Sequence, residues 1–205
     1  MKITWYGHSC FKVETAGGAV VFDPYAPGSV PGLAMPAVEA EAVVCSHGHD
    51  DHNWAAGVTL SGRPLTGVVL RRVETCHDEQ GGALRGPNTV TILEADGLRL
   101  AHLGDLGHML TGKQIRAIGP VDVLLLPVGG HFTIGPETAR DVAAALTPRI
   151  LIPMHYRGED FGYEVTGPVE DFLALAEHVR VFDSNELDTD SLETPVTAVL
   201  RCPRP

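Results

Sequence analysis

Ala42-Val43-Val44-Cys45-Ser46-His47-Gly48-His49-Asp50-Asp51-His52 is the stretch on which the reading of this chain turns. Its first five residues form a continuous apolar run with the composition of a buried strand. Its last six hold three histidines, two aspartates and one glycine. A strand that stops in a loop full of ligand-type side chains is a common place for a site in α/β proteins. The spacing has physical content. On a helix, side chains two apart point to nearly opposite sides, so His47 and His49 can share one ion only from extended or looped backbone. Burying so many polar groups together without partners is costly, and the histidines would repel one another if charged. A bound dication removes both difficulties.

Downstream segments repeat the logic. Leu100-Ala101-His102-Leu103-Gly104-Asp105 reads as an apolar strand ending in an aspartate, with Gly104 allowing close backbone approach. Ile150-Leu151-Ile152-Pro153-Met154-His155 reads as an apolar strand ending in a histidine. Between the first motif and these lies Thr75-Cys76-His77-Asp78, a histidine in a loop before Gly81-Gly82. Six of the ten histidines (His47, His49, His52, His77, His102 and His108) fall in one stretch of the chain, and histidine is the commonest transition-metal ligand. An isolated histidine is more often a satisfied or exposed residue. His102 is read as a strand residue bonded to its surroundings, His108 as a loop residue, and His178 as lying at a helix C-terminus. His8 follows the first strand and His131 follows Gly129-Gly130; both are placed at the rim of the site, with functional and structural roles equally open. Asp23, before Pro24, either orients a ligand histidine or caps a turn.

The rest of the chain fits a single domain over residues 1–205. Apolar residues make up 44% and charged residues 20% of the 205, a balance able to build one core. Strands are expected at residues 3–6, 11–15 and 19–22, with a hairpin turn at Gly17-Gly18. A Pro/Gly/Ala-rich loop at 24–36 is either a flap or a connection. Strands follow at 42–46, 64–70, 89–93 and, after Asp96-Gly97, 98–103. A helix begins near Thr111, where Thr111 and Gln114 have capping-box spacing. Residues 121–128 form the most apolar strand. The helix after Pro136 sets Ala139, Val142, Ala143 and Leu146 on one face and stops before Pro148. Residues 150–153 are a buried strand, Pro168 opens another helix, and strands close the chain at 179–182 and 196–200. Strands first, then alternating strand and helix, imply an α/β protein with helices layered on sheets.

Composition also excludes partners. A net charge of -11 opposes nonspecific binding to nucleic acid or anionic membranes. It permits an anionic substrate, because bound cations reverse the local sign. No signal-peptide core opens the chain and no apolar run reaches bilayer length, so a cytoplasmic protein is expected. Cys10, Cys45, Cys76 and Cys202 are read as reduced thiols.

The order HxHxDH, then His, then Asp after Gly, then His resembles the metallo-β-lactamase superfamily. The resemblance runs from Trp5-Tyr6-Gly7-His8-Ser9 to Pro153-Met154-His155-Tyr156. Within the superfamily the chain is similar to the small metal-dependent hydrolases of the ascorbate-6-phosphate lactonase-like group. The resemblance implies a four-layer αβ/βα sandwich with the site at one edge of two sheets. It implies a first metal on His47, His49 and His77, a second on Asp51, His52 and His155, and Asp105 bridging them; His102 and His108 are rivals of His77. Two divalent ions about 3.5–4 Å apart lower the pKa of a shared water, with Asp51 orienting the nucleophile and His131 donating a proton or binding substrate. Zn2+ leads for such ligands, with Mn2+, Fe2+ and Ni2+ tolerable. The expected activity is hydrolysis of a small ester, lactone or phosphoester. Alternatives are a phosphodiesterase or nuclease, if Arg63, Arg71, Arg72 and Arg85 share a face beside the site, or a non-catalytic metal-binding protein. Oxygen-reducing di-iron members carry Glu where this chain has His49, which favours hydrolysis.

Overall fold

The computed structural model describes residues 1–203. The chain opens with an antiparallel meander of β1 (Lys2–Trp5), β2 (Phe11–Thr15) and β3 (Gly18–Phe22), in register through Ile3↔Val13 and Val13↔Val20. Alternation sorts the faces. Ile3, Trp5, Phe11, Val13, Val20 and Phe22 enter the main core, while Ala19 and Val21 join a second apolar cluster. β4 (Val38–Ala40) pairs in parallel with β6 (Val58–Leu60) as a separate two-stranded sheet. β5 (Ala42–Val44) lies parallel to β3, and β13 (Glu186–Asp188) closes the other edge beside β1. The five-stranded sheet therefore has the order β13-β1-β2-β3-β5.

The second sheet begins as an antiparallel run of β7 (Val69–Cys76), β8 (Pro87–Ala95) and β9 (Leu98–His102). It continues in parallel through β10 (Val123–Pro127), β11 (Ile150–Met154), β14 (Val196–Val199) and β12 (Val179–Val181). β10 and β11 are buried along their whole length, as continuous apolar parallel strands must be. The crossovers carry α1 (Gly112–Ile118), α2 (Pro136–Leu146) and α3 (Val169–Leu173). α1 starts in the expected capping box: the Gln114 N–H donates to Thr111 Oγ1 (3.3 Å) and the Thr111 N–H to Gln114 Oε1 (2.9 Å). α2 lays Ala139, Val142 and Leu146 on the core.

The two sheets are stapled by His102. Its ring stacks on Phe22 at 5.2 Å, its Nε2 donates to Ser9 O (2.8 Å), and its Nδ1 accepts the Gly104 N–H (3.1 Å). Burial lowers its pKa, so it is a neutral strand residue, as expected. The outer face of the five-stranded sheet is covered by irregular chain rather than by helix. Tyr25, Val30 and Leu33 of the 24–36 loop, with Val38, Ala40 and Val58 of the small sheet, pack on Cys10, Ala19 and Val21. That loop is thus a structural cover, and residues 1–111 hold no α-helix.

Some expected boundaries move. The strand expected at 64–70 starts only at Val69, after Gly67 turns the chain through a left-handed conformation (φ +65°). Pro168 caps α3 instead of opening it. β4, β6 and β13, of three residues each, carry too little alternation to be foreseen. The four cysteines are free. Among the described residues no helix is long and apolar enough to cross a membrane.

Phe22→Ala removes the ring that joins the sheets. It is expected to cost about 3–5 kcal/mol, read as a lowered urea midpoint with unchanged slope.

Candidate metal centre

Four strand ends open on one place. β5 leads into 47–52, β7 into His77, β9 through Gly104 into Asp105, and β11 into His155. Three overlapping groups result: His47, His49 and His77; His47, His52 and Asp105; and His8, Asp51, His52 and His155. Within each, one ligand atom per residue lies within 4.8 Å of the others. Asp105 stands between the outer groups. Its Oδ2 is 3.1 Å from His77 Nε2, 3.2 Å from His155 Nε2 and 3.9 Å from His47 Nε2, and its Oδ1 is 3.1 Å from His52 Nε2.

Local structure explains the aim of each side chain. Gly104 has φ +55°, and a Cβ there would collide with Asn88 Oδ1 and the Ser46 side chain, so only glycine lets the chain pass into Asp105. Asn88 then fixes that turn, its Oδ1 accepting the Asp105 N–H (2.9 Å) while its amide donates to Thr75 Oγ1 (2.7 Å) and Leu103 O (2.9 Å). The loop after His77 is wound around Asp78, whose carboxylate accepts the backbone N–H of Gln80, Gly82, Leu84 and Arg85. Burial opposes ionisation of Asp78, but these donors outweigh it and bring its pKa down to about 2.

A hydrogen-bond chain sets two imidazoles at once. Asp23 Oδ1 accepts the Ser46 N–H (2.7 Å), and Oδ2 accepts both Ser46 Oγ (2.6 Å) and His52 Nδ1 (2.8 Å). An ionised carboxylate only accepts, so the proton lies on His52 Nδ1 and Nε2 is the position left for a further proton or a cation. Ser46 spends its own proton on Asp23, so it accepts from His47 Nδ1 (2.9 Å), which likewise frees His47 Nε2. Asp23 is therefore both a turn residue and the group that orients a cluster histidine.

The electrostatics are those of a centre short of positive charge. Burial brings His47 down to about 3 and, with His155 beside it, His8 down to about 4. Asp105 is held well below the usual carboxylate range, His155 and His52 outweighing its burial. Asp51 is likewise lowered against its burial by the His8 and His52 imidazoles beside it. Burial opposes a charge on His52, yet Asp105 and Asp23 raise it well above normal. The Nε2 atoms of His8, His47, His52 and His155, and Asp105 Oδ1, are buried with no hydrogen-bond partner. Such orphaned groups are rare because each is costly. Imidazole nitrogens around carboxylate oxygens suit a divalent transition metal, which would satisfy them together.

The structure thus gathers His47, His49, Asp51, His52, His77, Asp105 and His155. It does not gather His131. The left-handed turn at Gly130 and His131 (φ +67° and +60°) directs that ring outward, where it is exposed and packs on Phe132 at 4.5 Å. It lines a cavity of about 300 Å³ with Arg85 and Thr138. Its path to Asp51 runs through the Phe132 ring and Tyr163, 5.5 Å apart. His8, expected at the rim, is instead buried in the cluster, its Nε2 3.3 Å from Asp51 Oδ2. His108 is a loop residue whose Nε2 accepts the Cys76 N–H (3.1 Å). Arg63 and Arg71 are engaged by Glu41 and Glu94. Sequence reasoning missed Ser46 and Asn88, and also Tyr163, whose hydroxyl lies 3.1 Å from Asp51 Oδ2 and 2.7 Å from Ser29 O. Nothing in the sequence marks that tyrosine, which lies in an irregular loop.

Comparison with known proteins agrees with this geometry. The sequence model of the beta-lactamase superfamily domain matches residues 2–155, a span that contains every residue of the cluster. A UPF0173 metal-dependent hydrolase of Opitutus terrae is 33% identical over 76% of this chain and 85% of its own length. One of Carboxydothermus hydrogenoformans is 31% identical over 76% and 84%. A crystal structure from Thermotoga maritima, described as a candidate zinc-dependent hydrolase of the metallo-β-lactamase superfamily, is 38% identical and superposes with a TM-score of 0.76, covering 97% of each chain. Two packed sheets with histidines and aspartates meeting at their strand ends, on a sequence matched over three quarters of its length, place this chain in the metallo-β-lactamase superfamily.

Proposed function

We propose that the protein is a metal-dependent hydrolase that holds two divalent cations and cleaves a small ester, lactone or phosphoester. One observation carries this reading: buried imidazole nitrogens, those of His47, His52 and His155 without a hydrogen-bond partner, converge on both oxygens of the single Asp105 carboxylate. His47, His49 and His77 would hold one ion, Asp51, His52 and His155 the other, and Asp105 would face both. Zn2+ is the leading ion for this donor set, with Mn2+, Fe2+ and Ni2+ as competitors. When bound, such a pair supplies Lewis acidity and a water acidic enough to act as nucleophile near neutral pH.

The protein's own residues do the rest. The Asp23–Ser46 chain keeps protons on the outward nitrogens of His47 and His52, so neither ring can turn its donor face to the substrate. Asp51, braced by Tyr163, directs the attacking water. Gly48, His49 and Asp50 are exposed while His52, His77, Asp105 and His155 are buried, so substrate enters from that side. His131 and Arg85, on the wall of the neighbouring cavity, would meet a remote part of the substrate, which is the substrate-binding one of the two roles open to His131. The relatives named metal-dependent hydrolases support the reaction class. Four unpaired cysteines fit a reducing compartment, and we place the protein in the cytoplasm.

Removal of metal by a strong chelator is expected to abolish hydrolysis across a panel of p-nitrophenyl esters, bis-p-nitrophenyl phosphate and simple lactones, and Zn2+ or Mn2+ to restore it. Turnover that survives complete metal removal refutes the reading. Asp105→Asn is expected to reduce bound zinc from two ions per chain, measured by elemental analysis after gel filtration.

Asp23→Asn leaves every ligand in place but withdraws the carboxylate behind His52. Metal affinity should fall by about 10- to 100-fold, measured by competition with a chromophoric chelator.

A further inference from the structure

We propose that His8 is a ligand of the second cation, beside Asp51, His52 and His155; the inference rests on the two-cation reading above. The first position would then have three imidazoles and the shared Asp105, and the second three imidazoles and two carboxylates.

The placement of His8 is built rather than incidental. It lies in the turn after β1 with φ +51°, a left-handed conformation unusual for a residue with a Cβ. Three contacts hold the turn: the Trp5 indole N–H donates to His8 O (3.0 Å), the His155 N–H donates to the same oxygen (3.3 Å), and the Cys10 N–H donates to Gly7 O (2.9 Å). His155 is itself left-handed, with φ +54°. The two strained residues brace each other, and their rings end 4.1 Å apart; the His52 ring is 5.0 Å from His8. Strain of this kind persists where the surroundings impose it, and it clusters at functional sites. The His8 side chain is 2% exposed, and its Nε2 has no hydrogen-bond partner.

The competing role is that of a donor to Asp51, whose Oδ2 is 3.3 Å away. That oxygen is already 3.1 Å from the Tyr163 hydroxyl and 3.7 Å from His52 Nε2. The His8–Asp51 approach does not complete a hydrogen bond, and one ligand atom from each of His8, Asp51, His52 and His155 lies within 4.8 Å of the others, so a cation seated among them meets all four. His8 Nε2 then presents a lone pair to the same ion. The consequence is an asymmetric pair. The second ion would be enclosed by five protein groups and the first by four, the less crowded position lying on the side where His49 is exposed.

The test is calorimetric titration of the chelator-stripped full chain with Zn2+ alone, in wild type, His8→Ala and His8→Gln. The wild type should take up two ions. Both variants should lose at least about tenfold in affinity for one of them, since removing even a group that only supports a ligand costs that much, with the other affinity changed by less than about threefold. Wild-type affinities in His8→Gln, whose amide still donates, would show that His8 only donates to Asp51 and overturn the proposal; unchanged binding in His8→Ala would overturn it equally. Should the variants misfold by circular dichroism, a zinc-soaked crystal of the wild type decides. An anomalous peak about 2.0–2.1 Å from His8 Nε2 supports the proposal, and one more than about 3 Å away refutes it. A wild type that binds no zinc removes the functional reading itself, a result distinct from two ions bound without His8.

Discussion

A buried carboxylate ringed by imidazoles is the arrangement on which this molecule depends. Asp105 is 1% exposed and has histidine nitrogens from three separate segments within 3.2 Å. Taking so many polar groups out of water is unfavourable unless each finds a partner. Neighbours supply part of the answer through Asp23, Ser46 and Asn88. The inward-facing atoms are left bare, and the compensation they lack is positive charge. The strands, the left-handed turns and the glycine before Asp105 hold this otherwise unfavourable constellation in place.

The sheets serve that purpose differently. The second sheet has a parallel core within it: β10 and β11 are wholly buried, so the segments leaving their ends have little freedom. The first is a smaller, mostly antiparallel layer covered by loop and a two-stranded ribbon. That irregular cover brings Ser29 to Tyr163 and so reaches Asp51 indirectly. The quieter half of the fold therefore also shapes the centre.

Much of this was legible in the sequence. HxHxDH after an apolar run, and single ligand-type residues at the ends of later apolar runs, gave both the layering and the seven clustered residues, because strand ends and ligand spacing are local properties. What escaped was non-local. Asn88 lies within a strand and looks like any polar strand residue until β9 is brought beside it. Tyr163 is connected to Asp51 only through the fold, 112 residues apart in sequence. His8 and His131 looked equivalent, each following a strand and a glycine. The direction of the turn separates them, sending one ring inward and the other to solvent, and pattern alone does not encode that direction. The α/β sandwich the sequence implied is the one observed, with irregular chain and a two-stranded ribbon on the outer face of the first sheet.

The bond from the His155 N–H to His8 O joins positions 147 residues apart. Contacts of such long range form late, because the intervening loop must first be closed at an entropic cost. A fragment that ends before His155 or begins after His8 holds some of the donors but not the whole set. Capture of metal at full strength therefore reports that the polypeptide has finished folding, and a nascent or truncated chain would be a poor competitor for the cell's free ions.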